Sequence, residues 1–207
     1  MFEHQVGEQG ASAAESGGVL VVGATRILRP AVRTLAARGA RVTAVARDAA
    51  ALDVLAREHE GRVRPLAADV TTADLGARLR RAAGPDGFSG AVVYAPTAPA
   101  RTVVDVLRPL LPRGPLVLLL TSEWAAPAPH GHARPAGPTA WTPDLLPPAL
   151  RARPACRPLV LGWRPRTDGA RWHTPEEISA AALELLDTDA GTSAVLGTVR
   201  PWADRPA

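Results

Sequence analysis

The sequence predicts one α/β domain built on a doubly wound, mostly parallel sheet of about seven strands, with helices on both faces. Three observations predict it. Short aliphatic runs, suited to strands buried on both faces, alternate with amphipathic segments. The units recur at spacings of roughly 20 to 25 residues, which leaves room for the helical crossovers that parallel strands require. The 207 residues, 46% of them hydrophobic, suffice for one domain with a sizeable core and are too apolar for a disordered chain.

Each element has its own signal. Residues 19–22 are an all-aliphatic run closed by Gly23. Over 26–38, Leu28, Val32, Leu35 and Ala36 fall on one helical face, and Gly39 stops that helix. Residues 41–46 alternate and carry β-branched Val42, Thr43 and Val45, as a second strand does. A helix over 49–60 closes at Gly61, a third strand covers 63–67, and Thr71 or Thr72 caps a helix reaching residue 83. A fourth strand spans 90–94, a helix spans 102–111 and ends before Pro112 and Gly114, and residues 116–120 form the most hydrophobic strand. Reversal of strand order at the first strand places a crevice at the carboxyl ends of strands one and four.

The rhythm then breaks. Residues 122–158 hold nine prolines, two histidines and two tryptophans. Proline lacks the amide donor and clashes one turn back, so this is a long loop of the kind that forms lids, binding segments or disorder. Order returns with a sixth strand over 158–162. Thr174, Pro175 and Glu177 form a capping box that opens a helix with the stripe Ile178, Ala181, Ala182, Leu185 and Leu186. Gly191 ends the unit and a last strand covers 193–199. Residues 1–17 are expected to be a flexible polar tail, and 18–207 one domain.

Composition excludes several functions. No apolar run has the length of a membrane span, and 1–17 lacks the order of a signal peptide, so a cytoplasmic protein is expected. The single cysteine, Cys156, rules out an internal disulfide and a cysteine-based zinc site, and reads as a buried thiol. His130 and His132 have no third ligand nearby, so no metal site is expected. All 24 basic residues are arginine, which removes any mechanism that needs a lysine ammonium. The net charge of +4 is spread along the chain without the clustered basic and aromatic residues of a nucleic-acid face. Neither nucleic acid nor membrane is an expected partner.

The stretch "VLVVGATRILRPAVRTLAARGARVTAVARD" resembles the start of a short-chain dehydrogenase/reductase of the atypical or extended branch, whose first turn reads GATGxxG. Gly23, Ala24 and Thr25 match, while Arg26 and Arg29 replace the second and third glycines. "RWHTPEEIS" at 171–179 and "VRPWADRP" at 199–206 are similar to a group of compact bacterial members of that superfamily. The resemblance implies a Rossmann-like fold. It also implies that Gly23, Ala24, Thr25, Arg26, Ile27 and Leu28 line a dinucleotide pyrophosphate. Arg47 stands where NADP-preferring members hold the 2′-phosphate, although Asp48 follows it, so NADP is implied with NAD possible. Asp69 and Val70 correspond to the pair at the adenine. Tyr94, Ala95 and Pro96 would lie beside the ribose and nicotinamide, and Gly162 and Trp163 where the chain passes the nicotinamide. Ser122 corresponds to the catalytic serine.

The departures carry equal weight. Standard members use a Tyr-x-x-x-Lys pair, in which the lysine lowers the pKa of a proton-donating tyrosine. Here the only tyrosine is Tyr94, outside that motif, and there is no lysine. Candidate proton donors are therefore Ser122, Tyr94 and His173, with His130 and His132 as further histidines. Ser122 reads equally as a turn residue, and His173 as a flank of the helix cap. Arg26 either obstructs the phosphate site or replaces lost backbone donors with a guanidinium clamp, and Arg29 must point outward unless the helix shifts. Trp124, Trp141, Trp163 and Trp172 either wall an apolar pocket or bury the loop, and Trp202 anchors the tail.

The expectation is an NADPH-dependent reductase of a carbonyl or imine in a small organic substrate, with the Pro/Trp-rich loop covering the substrate and a homodimer formed through the 102–111 helix. The alternatives are a non-redox descendant of the fold, either a ligand-binding module or an enzyme reusing the pocket, and a structural subunit that docks through the tryptophans.

Overall fold

The computed structural model describes residues 17–96, 98–126, 156–188 and 193–207. The first half alternates β1 (Val19–Val22), α1 (Arg29–Ala37), β2 (Val42–Ala46), α2 (Ala49–Glu58), β3 (Val63–Ala67) and α3 (Leu75–Ala83). The second half runs β4 (Gly90–Tyr94), α4 (Ala100–Leu107), β5 (Leu116–Leu120), β6 (Cys156–Leu161), β7 (Trp163–Arg166), β8 (Gly169–Trp172), α5 (Pro175–Asp187) and β9 (Ala194–Leu196). Seven strands form one parallel sheet in the order β3-β2-β1-β4-β5-β6-β9. The order reverses between β1 and β4, and loops diverge there to open the expected crevice.

Alternation along the strands divides the core between the two faces. Val21, Val92, Val117 and Leu119 pack under α1, α2 and α5 with Leu28, Val32, Leu52, Leu55 and Ala182. Leu20, Val22, Val93 and Leu118 pack on the other face under α3 and α4, with Leu79, Val104 and Leu107. Every residue of β5 is buried, as its unbroken apolar run requires. Pro65 lies on β3, which pairs only with β2 among the described strands and so has no second neighbour to miss its amide. Cys156 is buried, as expected of the lone thiol.

Several boundaries move, each for a local reason. α1 begins at Arg29 rather than 26. A helix begun at 26 would set Pro30 where an amide should bond the carbonyl of residue 26, whereas in the first turn the missing N–H costs nothing. α3 begins at Leu75 because Thr71 and Thr72 do not cap it. The Thr71 amide and hydroxyl donate to Asp69 Oδ1 (2.9 and 2.7 Å), and the Thr72 hydroxyl donates to the Asp69 carbonyl (2.8 Å). The helix expected over 102–111 is α4 followed by a 3₁₀ turn, Arg108–Leu110, tightened at Pro109. The capping box of α5 is present, with Glu177 N donating to Thr174 Oγ1 (3.3 Å) and Thr174 N to Glu177 Oε2 (3.0 Å). Its buried stripe is Ile178, Ser179, Ala182 and Leu183, turned from the expected one, because Ser179 faces α1 and donates to the Ile27 carbonyl (3.3 Å).

The hairpin β7–β8 has no counterpart in the sequence prediction. Its strands are short, and Arg164, Pro165, Arg166 and Arg171 hide any alternation. The last strand stops at Leu196 because Gly197, at φ +78°, turns the chain back so that Thr198 bridges Trp163. Residues 127–155, which hold most of the Pro-rich loop with His130, His132 and Trp141, lie outside the described residues, as do residues 1–16 of the expected tail. No described helix is long and apolar enough to cross a membrane, and no described group of three or more His, Cys, Asp or Glu side chains could hold a metal.

Candidate functional site

A cavity of about 610 Å³ opens at the carboxyl ends of β1, β2 and β4. Gly23, Thr25, Arg26, Ile27, Arg47, Asp69, Val70, Tyr94, Ala95 and Pro96 line it. Ala24 and Leu28 do not, since both are fully buried in the core beneath the turn. The turn is fixed from below. Gly23 and Ala24 donate their amides to the Val45 carbonyl (2.9 and 3.2 Å). Gly23 adopts φ +90°, and a Cβ there would stand 3.0 Å from the Tyr94 carbonyl oxygen. The amides of Thr25, Arg26 and Ile27 have no hydrogen-bond acceptor among the described residues.

The two arginines of the turn separate. Arg29 points away, donating to Glu58 Oε1 at 2.7 Å beside Arg33, which donates to Oε2 at 2.9 Å. The Arg33 and Arg29 guanidinium groups hold the Glu58 carboxyl below its ordinary pKa. Arg26 is exposed at the cavity and has no ion pair among the described residues. Its φ is negative, as for every described non-glycine residue, so it carries no left-handed strain. Arg47 also lines the cavity without an ion pair among the described residues. Asp48 is committed to capping α2, where it accepts from Ala51 N at 3.0 Å. Hydrogen bonds from Thr71, aided by the charge of Arg47, hold the Asp69 carboxyl below its usual pKa and keep it ionised.

A second cavity, of about 340 Å³, adjoins the first and shares Ile27 and Tyr94 with it. Here the structure brings together all three candidate proton donors, Tyr94, Ser122 and His173, with Gly162, Trp172, Glu123 and Arg205. Ser122 is 4% exposed, at the end of β5. Burial pushes the Tyr94 phenol above its ordinary pKa, so it is a neutral donor at neutral pH. His173 borders the cavity, but both ring nitrogens are engaged or enclosed. Nδ1 lies 3.3 Å from Glu177 Oε2, and Nε2 is buried against Gly197 with no hydrogen-bond partner among the described residues. Glu177 also receives Arg171 Nη1 and Nη2 (2.8 and 2.7 Å) and Arg164 Nη1 (2.9 Å). These bonds, the largest from Arg171, drive its carboxyl far below the usual range.

Gly162 lines the second cavity, and a Cβ there would run into the Thr198 carbonyl. Trp163 lines neither cavity. It is fully buried, packed edge-on against Trp172 (6.3 Å between centroids) and Trp202 (5.8 Å). Trp202 thus anchors the tail, as its sequence position suggests. Sequence reasoning missed Glu123 and Arg205, which pair at 2.7 Å, and saw Glu177 only as a helix cap. The end "VRPWADRP", with Trp202 three residues before Arg205, was the one available signal for Arg205.

No protein-family model and no curated protein matches the sequence; the likeness is to solved structures. A 3-hydroxyacyl-CoA dehydrogenase type-2 from Mycobacterium avium is 18% identical, covering 92% of this chain and 97% of that chain, with a TM-score of 0.63. An oxidoreductase of the short-chain dehydrogenase/reductase family from Burkholderia thailandensis is 19% identical, covering 88% and 91%, with a TM-score of 0.61. A 3-oxoacyl-[acyl-carrier protein] reductase from Brucella melitensis, solved with bound NAD, is 20% identical, covering 89% and 91%, with a TM-score of 0.58. With its strand order, its crevice beside Gly23 and these neighbours, the chain has the fold of the short-chain dehydrogenases/reductases.

Proposed function

We propose that the chain is a nicotinamide-dependent oxidoreductase that uses NADPH to reduce a carbonyl or imine in a small organic substrate. The observation that carries this reading is the pair of adjoining cavities with Tyr94 in both walls. The first suits a dinucleotide. Gly23 keeps the turn free of a side chain, and three amides lack a partner among the described residues. Arg26 and Arg47 add cations that make no ion pair among the described residues, Arg47 acting only at longer range on Asp69. Arg47 favours a 2′-phosphate, while Asp48, which also lines the cavity, has one carboxylate oxygen engaged at the α2 cap. A bound nicotinamide supplies the hydride.

The residues of the second cavity orient and polarise. Ser122 and the protonated Tyr94 are neutral hydrogen-bond donors that can hold a carbonyl oxygen or imine. His173 is kept in place by Glu177, and its enclosed Nε2 exchanges a proton with substrate only after the ring moves off Gly197. A protonated imine nitrogen is already electrophilic, so an imine fits a site without a tyrosine–lysine pair. Steady NADPH consumption with ketones and none with imines would reverse that preference. A cytoplasmic location and self-association through α4 complete the proposal, the latter checked by sedimentation.

The deciding experiment titrates NADPH and NADH against tryptophan fluorescence and nicotinamide energy transfer. Tight NADPH binding, weakened by Arg47→Ala more than NADH binding is, is the expected result. The absence of lysine favours one second reading, a non-redox descendant that keeps the pocket. Failure of both nucleotides to bind at millimolar concentration would overturn the reductase and support that reading instead.

A further inference from the structure

The rim of the second cavity carries a cation on a fixed platform. Arg205 Cζ lies 5.4 Å from the Trp172 ring centroid and 5.3 Å from that of Trp202. Both rings pack edge-on against the fully buried Trp163, so the platform is tied to the core. Among the described residues Arg205 meets a single carboxylate, Glu123, at 2.7 Å. The Glu123 and Arg205 side chains are 59% and 37% exposed. An ion pair this open adds little stability and exchanges readily with another anion. On the same wall Trp172 remains 39% exposed, one of only two large hydrophobic residues so exposed among the described residues. Ile27, Leu161 and Ile178 add apolar surface, and Ser122 and Tyr94 add neutral donors.

We infer that this cavity takes an apolar carboxylic acid, with Arg205 as the carboxylate receptor and Glu123 as an internal carboxylate that the ligand displaces. Glu123 shows that the position accepts a planar carboxylate, and a guanidinium held by two rings presents its donors without further ordering. The apolar body covers Trp172 while the carboxylate reaches Arg205. Among the described residues that line this cavity, a cation would find only the carboxylate of Glu123, which Arg205 already neutralises. The inference rests on the proposed oxidoreductase reading only in making this ligand a substrate, since binding itself needs no nucleotide.

The test uses the full chain without nucleotide and follows tryptophan fluorescence on titration with benzoate and with benzamide, its uncharged counterpart. Benzoate is expected to bind at least about tenfold more tightly than benzamide, the difference that loss of a charge-assisted bond makes. Arg205→Met should abolish that preference while keeping an apolar stem over the rings. Glu123→Gln, which removes the internal competitor, should tighten benzoate binding severalfold. Equal binding of benzoate and benzamide, or Glu123→Gln that leaves benzoate binding unchanged or weaker, overturns the inference. NADPH is titrated in parallel on the same three proteins and is expected to bind all alike, because neither side chain lines the nucleotide crevice. Benzoate binding without NADPH binding would uphold the carboxylate site and remove the oxidoreductase reading.

Discussion

Gly23→Ala tests the turn on which the crevice between β1 and β4, and with it the proposed nucleotide binding, depends. Two separate costs act at this position. The backbone sits at φ +90°, which costs an L-residue about 1–2 kcal/mol. The new methyl would also stand 3.0 Å from the Tyr94 carbonyl oxygen, an overpacked contact worth about 1 kcal/mol or more. Gly39 supplies the control, because at φ +86° an added methyl would meet nothing within 4 Å. Gly39→Ala therefore measures the conformational cost alone, about 1–2 kcal/mol. Gly23→Ala should lose about 2–3 kcal/mol by urea unfolding, and NADPH affinity should fall with it because the amides of Thr25, Arg26 and Ile27 move with the turn. Equal losses from the two variants, with nucleotide affinity intact, would refute the claim that contact with Tyr94 sets the turn.

Other outcomes follow from the same contacts. Arg26→Ala removes an exposed guanidinium that has no described ion pair, so it should weaken NADPH binding by roughly tenfold in a fluorescence titration and leave the urea midpoint unchanged. Leu28→Ala empties a fully buried site under the turn and should cost about 2–5 kcal/mol in urea unfolding. Glu177 has a folded-state pKa far below its ordinary 4.5, so its stabilising effect is complete above that ordinary value and is lost as pH falls from there toward the folded one. Thermal melts of wild type should drop steeply in that window, whereas Glu177→Gln should be less stable at neutral pH and less sensitive to acid. Tyr94, the only tyrosine, should ionise above pH 10.0 in an ultraviolet titration of the folded chain. The stability linked to its neutral form is fully present below the unfolded-state value near 10 and should be lost as pH rises from there through the raised folded one.

What was legible in the sequence is what local physics decides. The aliphatic runs at 19–22, 90–94 and 116–120 could be buried only as central strands, and Gly23 had to end the first of them in a tight turn. The α5 capping box was readable because all its partners lie within four residues. The hairpin was not, because its register sets Arg164 against Arg171, a like-charged pair that no local rule favours. Glu177 on α5 bonds both guanidinium groups and thereby holds the hairpin to the helix. Likewise, the direction of Arg29 is decided by Glu58 on α2, and the Arg205 platform by tryptophans at 172 and 202. Arginine has no periodic signature that would announce such a partner.

The lysine-free composition has a chemical consequence that reaches the pocket. A lysine beside a tyrosine lowers the phenol pKa and makes it a better acid near neutrality. Arginine can supply charge and bidentate bonds, but among the described residues Arg164 and Arg171 are bound to Glu177, and Arg205 sits at the rim, stacked on Trp172 and Trp202 and paired with Glu123. Tyr94 is therefore left to burial, which moves its phenol in the opposite direction. A site that binds and orients through neutral hydroxyls does best with a substrate whose reacting atom is already activated or already protonated. The same arrangement keeps cations at the edges, with Arg26 and Arg47 around the first cavity and Arg205 at the rim of the second. On the proposed reading, charge at these edges selects what enters, while Tyr94, shared by the two cavities, stays neutral.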